Sequence, residues 1–144
     1  MRPTRHETML EVASVFAKRS TCPRRQVGCV ITDKEGRVLS TGYNGVARGM
    51  IHCTEVRCPG AGLPSGQGLD KCEAIHGESN ALLQCKQIDD IAIIYVTASP
   101  CMHCTKLLLQ TPCYEIIFME EYPHSDAKAL WEKAGRIWAK WPKN

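Results

Sequence analysis

From residue 74 onward the chain alternates segments of helical period with short β-branched apolar runs, and this alternation most narrows the folds open to it. The pattern predicts a helix over 74–87, a buried strand over 91–97, a helix over 101–110 and a strand over 115–119. A last helix over 126–134 is stopped by Gly135, and 136–139 reads as a short edge strand. Strands joined through a helix pair in parallel, so the later strands belong side by side in one sheet. Ahead of them, Thr4 and Glu7 have the form of a capping box, and Met9, Val12, Ala13, Phe16 and Ala17 share one face of a helix over 4–20. Residues 27–32 and 37–43 flank the turn-forming Asp33-Lys34-Glu35-Gly36 and read as a hairpin. The order implies an α/β protein with one mixed sheet and helices on both faces.

With 144 residues, 44% of them hydrophobic and 23% charged, the chain has enough core for one domain and too little length for two. We therefore expect a single domain over 1–144. Lys+Arg 18 against Asp+Glu 15 leaves a net charge of +3, scattered along the chain, which is weak support for an anionic partner and argues against a dedicated nucleic-acid binder. No apolar run is long enough to cross a bilayer, and the first residues lack the apolar stretch of a secretory leader, so a soluble cytoplasmic protein with no membrane partner is expected. Nine cysteines are many for this length; their odd number and mixing with histidines favour metal ligation or catalysis over a disulfide framework.

Residues 44–72 interrupt the pattern. They hold Gly45, Gly49, Gly60, Gly62, Gly66 and Gly68, two prolines and three cysteines, with no sustained period. An inserted loop of that length is functional or is tied down by something other than a core. Cys22, Cys53, Cys58 and Cys72 bracket it, with His52 alongside, and could close around a second, structural zinc; the alternative is four unrelated reduced thiols. Cys29, Cys85 and Cys113 read as small core residues.

The chemistry concentrates in His76-Gly77-Glu78 and Pro100-Cys101-Met102-His103-Cys104. One imidazole and two thiolates spaced i, i+3 can hold a tetrahedral zinc whose fourth position is left to water, and a carboxylate two residues from the histidine can manage that water's protons. Cys101 and Cys104 fall at the start of a predicted helix, where the positive dipole end favours thiolate. His76 and Glu78 would diverge inside a regular helix, so they can share a site only if His76 lies at the helix boundary. His103 reads as a solvent-facing helix residue. Two thiolates and neutral imidazole cancel the charge of Zn²⁺, so acidifying a bound water needs help, and Glu78 is the group that supplies it.

These motifs match the H-x-E and P-C-x-x-C signature of zinc deaminases, and the chain resembles the cytidine deaminase superfamily and, within it, the deoxycytidylate (dCMP) deaminases. The resemblance extends over residues 5–136. It takes in the segment from Ser20 to Gly28, Thr41-Gly42-Tyr43-Asn44-Gly45, His76-Gly77-Glu78-Ser79-Asn80-Ala81 and Tyr95-Val96-Thr97 before Pro100. It implies a three-layer α/β/α sandwich around a five-stranded mixed sheet, zinc bound by His76, Cys101 and Cys104, Glu78 as proton shuttle, and hydrolysis of dCMP at C4 of the ring to dUMP and ammonia. It further implies a contact from Asn44 to the sugar or phosphate, Tyr122 closing over the substrate, dCTP and dTTP as activating and inhibiting effectors, and a hexameric or other homo-oligomer. Some of these relatives carry an additional zinc near the first strand and the insertion. Gly77 stands where alanine is usual, and His124 where many relatives have an acidic residue. The missing methyl at 77 bears on pocket volume and on 5-substituted cytosines. Arg24 and Arg25, just before the first strand, are the candidates for binding a phosphate, or simply exposed arginines.

Two other readings compete. One is a different deaminase of the superfamily, acting on tRNA adenosine, guanine or cytidine. The other is a non-catalytic, zinc-stabilised nucleotide-binding module, against which the presence of Glu78 speaks.

Overall fold

The computed structural model describes residues 1–22, 25–52, 62, 73–123 and 126–142. Its elements are α1 (Arg5–Ala17), β1 (Gly28–Thr32), β2 (Val38–Tyr43), α2 (Gly77–Gln84), a 3-10 turn (Ile88–Asp90), β3 (Ile93–Ala98), α3 (Met102–Leu109), β4 (Glu115–Glu120), α4 (Ala127–Lys133) and β5 (Ile137–Lys140). The expected order is present throughout.

The five strands form one sheet in the order β2-β1-β3-β4-β5. β1 is antiparallel to both β2 and β3, while β3, β4 and β5 run parallel. All five residues of β1 are buried, as a strand flanked on both sides and covered on both faces must be. Successive side chains point to opposite faces and feed two cores. On one face Leu10 and Ala13 of α1 pack on Val30, Tyr95 and Ile117. On the other, Ala81 of α2, Leu108 of α3 and Trp131 of α4 pack on Cys29, Ile31, Ile94, Val96, Ile116 and Phe118. Helices therefore cover both faces. Cys29, Cys85 and Cys113 all lie in the second core, as expected from their contexts.

Two helices are shorter than their apolar period suggests, each for a local reason. α1 begins as expected, with the Thr4 hydroxyl accepting from the Glu7 amide at 3.1 Å. It ends at Ala17 because the amides of Lys18, Arg19 and Ser20 turn back to the carbonyls three residues earlier. α2 starts only at Gly77, because Ile75 is held extended against Gly45 by reciprocal backbone bonds of 2.8 and 3.1 Å. Gly42 permits the close packing of α2 on β2: a Cβ there would collide with the Gly77 carbonyl and the Ala81 amide.

Candidate active site

α2 and α3 begin beside each other past the carboxyl end of β3, where open α/β sheets bind their ligands. His76 is the N-cap of α2, with φ −63° and ψ 150°, so its side chain leaves the helix boundary and satisfies the condition for sharing a site with Glu78. Cys101 is the N-cap of α3 and its sulfur accepts from the Cys104 amide at 3.5 Å. His76 Nδ1 lies 3.4 Å from the Sγ of Cys101 and 3.4 Å from that of Cys104. Zn–N and Zn–S bonds of the usual lengths, set at the tetrahedral angle, separate nitrogen and sulfur by about 3.6 Å. The three residues therefore fit a zinc ion with little adjustment. His103, between the two cysteines, is exposed and points elsewhere.

The surroundings tune this donor set. A proton shared with the Cys104 thiol, reinforced by His76, holds Cys101 far below the ordinary thiol range. The same sharing, together with burial, pushes Cys104 up. His76 is raised chiefly by its bond to Cys101, against the effect of burial. The Ser79 hydroxyl lies 3.6 Å from Cys104 Sγ, an outer contact that orients a ligand. Glu78 is only 4% exposed, and burial raises its carboxyl, opposed by its own backbone amide and by His76. A carboxyl whose proton affinity is raised by burial beside a metal donor set is suited to carrying protons.

Neighbouring segments are tied to this centre. Asn80 Nδ2 donates to the Tyr43 carbonyl at 2.9 Å and the Ser40 hydroxyl donates to the Ala81 carbonyl at 2.7 Å, anchoring α2 to β2. Asn44 is 6% exposed; its Oδ1 accepts from the Val27 amide at 2.8 Å and its Nδ2 donates to the Arg25 carbonyl at 2.6 Å. The Arg25 guanidinium carbon sits 4.2 Å from the centre of the Tyr122 ring. The Tyr122 amide in turn donates to the Ser99 hydroxyl at 2.6 Å. Ser99 and Asn80 escape sequence reasoning; adjacency to the Pro100-Cys101 and His76-Gly77-Glu78 motifs is the only hint they offer. A methyl at Gly77 would meet the Val27 carbonyl at 3.2 Å and Tyr43 Cα at 3.3 Å, so it would face the hairpin backbone. Cys22 is buried ahead of β1, whereas Cys53, Cys58, Cys72, Arg24 and His124 lie outside the described residues.

Comparison with known proteins agrees with this geometry. Residues 3–120 match the family model of the cytidine and deoxycytidylate deaminase zinc-binding region. The chain is 37% identical over 139 residues to the deoxycytidylate deaminase of Schizosaccharomyces pombe, covering 93% of this chain and 43% of that protein. It is 35% identical over 124 residues to the one of Saccharomyces cerevisiae, covering 85% and 39% respectively. It thus spans about two-fifths of the length of these two yeast relatives. The deoxycytidylate deaminase of Mycobacterium phage D29 is 37% identical over 128 residues, covering 83% of this chain and 98% of the phage protein. Among solved structures, the dCMP deaminase of cyanophage S-TIM5 in complex with dCMP and dUMP superposes with a TM-score of 0.76 at 26% identity, covering 97% of this chain and 98% of the other. With the nitrogen–sulfur–sulfur donor set, the adjoining carboxylate and the sheet order all in hand, the chain belongs to the cytidine and deoxycytidylate deaminase family.

Proposed function

We propose that the chain is a zinc-dependent hydrolase that converts dCMP to dUMP and ammonia. The observation that carries this reading is Glu78, buried in the first turn of α2 beside His76, Cys101 and Cys104. A purely structural zinc has no use for a carboxylate at that place, whereas hydrolytic deamination needs one. The substrate follows from the relatives: the yeast and phage proteins are deoxycytidylate deaminases, and the cyanophage enzyme is in complex with dCMP and dUMP.

His76, Cys101 and Cys104 would hold zinc, which would supply Lewis acidity and acidify a bound water. The chain's own residues do the rest. The amino ends of α2 and α3 direct their positive dipole ends to the donor set and favour its thiolates. Glu78 takes a proton from the attacking water, passes it to the ring nitrogen, and delivers a proton to the departing amine. Burial raises its carboxyl, which favours its holding the proton between the two transfers.

In this reading residues 1–144 make up one deaminase domain, with a Cys- and Gly-rich insertion at about 44–72. Regulation by dCTP and dTTP, a homo-oligomeric assembly such as a hexamer, and a cytoplasmic location go with it on the strength of family membership. The second zinc at Cys22, Cys53, Cys58 and Cys72 belongs to the same reading. No helix among the described residues is long and apolar enough to cross a membrane.

The test is turnover by the zinc-loaded protein of dCMP, deoxycytidine, guanine and a tRNA anticodon stem-loop. Ammonia release should be fastest from dCMP; preference for any of the other three refutes the substrate assignment.

A further inference from the structure

The two helices that meet at the donor set present the same two positions of their first turns. His76 and Ser79 are the N-cap and the third residue of α2, and Cys101 and Cys104 are the N-cap and the third residue of α3. Residues three apart share a helix face, so both pairs turn toward the junction of the helix ends. Three of the four are the metal donors. The fourth, Ser79, places its hydroxyl 3.6 Å from Cys104 Sγ, within reach of an O–H to sulfur bond.

The two sulfurs are not equivalent. Cys101 is partly exposed, and its sulfur accepts from the Cys104 amide at 3.5 Å. Cys104 is 0% exposed, so a hydrogen bond to its sulfur must come from the protein and not from solvent. His76 Nδ1 stands 3.4 Å from that sulfur, but a ring nitrogen committed to a metal has no proton to give. Among the described residues this leaves the Ser79 hydroxyl. A thiolate can only accept, so in the metal-binding form the hydroxyl is the donor.

Negative charge crowds the same place. Two thiolates and a neutral imidazole already cancel a divalent cation, and Glu78, 4% exposed, lies in the same turn as Ser79. Electron density that a sulfur passes to the metal weakens it as a Lewis acid, and a hydrogen bond to the sulfur draws part of that density away.

We propose that Ser79 is a positioning residue of the reaction: its hydroxyl donates to the Cys104 thiolate, fixes that ligand and limits the charge it passes to the metal. This rests on the reading of the site as a zinc deaminase. The first turn of α2 then carries three roles, a ligand at His76, a proton carrier at Glu78 and a donor to the facing sulfur at Ser79.

The experiment loads the wild type, Ser79→Ala, Ser79→Thr and Ser40→Ala with cobalt(II) for absorption spectra and with zinc for turnover, at verified metal content and Tm. Cobalt(II) on thiolates gives a sulfur-to-metal charge-transfer band. Without the hydroxyl the sulfur holds its electrons less tightly, so the band of Ser79→Ala should move to longer wavelength. Ser79→Thr keeps a hydroxyl and should return the band to its wild-type position. Ser40→Ala removes the 2.7 Å bond to the Ala81 carbonyl, loosening α2 without touching the sulfur, and should leave the band in place. Zinc-loaded Ser79→Ala should lose roughly 10- to 100-fold in kcat for dCMP, the usual effect of an outer contact, with KM little changed. A band that stays in place in Ser79→Ala, a band that moves equally in Ser40→Ala, or a Ser79→Ala kcat equal to that of the wild type overturns the assignment. A shifted band that threonine restores, in a protein without dCMP turnover, refutes the substrate reading and leaves the Ser79 bond to sulfur standing.

Discussion

His76 Nδ1 stands 3.4 Å from the Sγ of Cys101, although 25 positions separate them in the chain. Each residue is the N-cap of its helix, so the contact joins two helix amino ends at one point. Extended backbone at both caps turns the two side chains toward each other, which two positions inside helices could not do so readily.

Stripping zinc with a strong chelator should abolish deamination and lower Tm, and zinc should restore both. The thiols and the imidazole must lose their protons to bind metal, so zinc affinity should decline as pH is lowered from about 8 to about 6. A chromophoric competitor reads the affinity directly. Full turnover in a protein shown to be metal-free would contradict the role given to His76, Cys101 and Cys104.

Replacing Glu78 by Gln should leave zinc in place and reduce kcat by roughly 10²- to 10⁴-fold, the usual worth of a positioned proton carrier. Burial raises the Glu78 carboxyl, so its ionisation opposes folding. Its stabilising contribution is present below the unfolded carboxyl range near about 4.3 and is lost as pH rises through the folded value. In the metal-free protein, Glu78→Gln should therefore equal the wild type in Tm under acid conditions and exceed it at neutral pH. An unchanged kcat removes Glu78 from the mechanism.

Gly42 and Gly77 should respond differently to alanine. A Cβ at Gly42 runs into the Gly77 carbonyl and the Ala81 amide, both backbone, and can be accommodated only by lifting α2 away from β2. Overpacking of this kind costs about 1–3 kcal/mol, and the shift would carry His76 and Glu78 with it, lowering activity and stability together. At Gly77 the added methyl meets the Val27 carbonyl at 3.2 Å, which a displacement of a few tenths of an ångström relieves. Gly77→Ala should cost under about 1 kcal/mol and leave the preference between cytosine and 5-methylcytosine nucleotides unaltered. Urea denaturation and a two-substrate comparison check both statements.

Arg136 should matter for folding. Its guanidinium donates to the carbonyls of Thr111 at 2.9 Å, Cys113 at 2.7 Å and Leu109 at 2.9 Å, with a longer bond to Leu108, and it lies 5.2 Å from the Trp131 ring centre. It thus gathers the carboxyl end of α3 and the entry to β4. Arg136→Ala should destabilise by about 2–4 kcal/mol in urea melts, and Arg136→Lys should recover only part, since a lysine cannot present the planar fork. A loss below about 0.5 kcal/mol would show these bonds to be no better than bonds to water.

Much of this was readable along the chain because it depends on neighbours a few residues apart. The Thr4 cap, the hairpin around Asp33 and Gly36, and the alternation of β3, α3, β4, α4 and β5 follow from local turn chemistry and apolar period. The residues of the metal donor set were readable for the same reason: H-x-E and C-x-x-C are short motifs whose members stand two or three positions apart. The helix boundary at His76 was legible only as a condition on the site, since the extended stretch before Gly77 is imposed by a pairing with Gly45, 30 positions away.

Residue order alone determined the α/β class, the succession of elements and the identity of the His76, Cys101, Cys104 and Glu78 group. Only the tertiary structure decided that β1 sits between β2 and β3, that the amide of Asn44 is committed to the main chain at Arg25 and Val27, and that Arg25 lies on Tyr122. Local propensity acts over one or two turns of chain, whereas these relationships join segments distant in sequence. They exist only once the sheet has closed and burial has forced each buried polar group to find its partner.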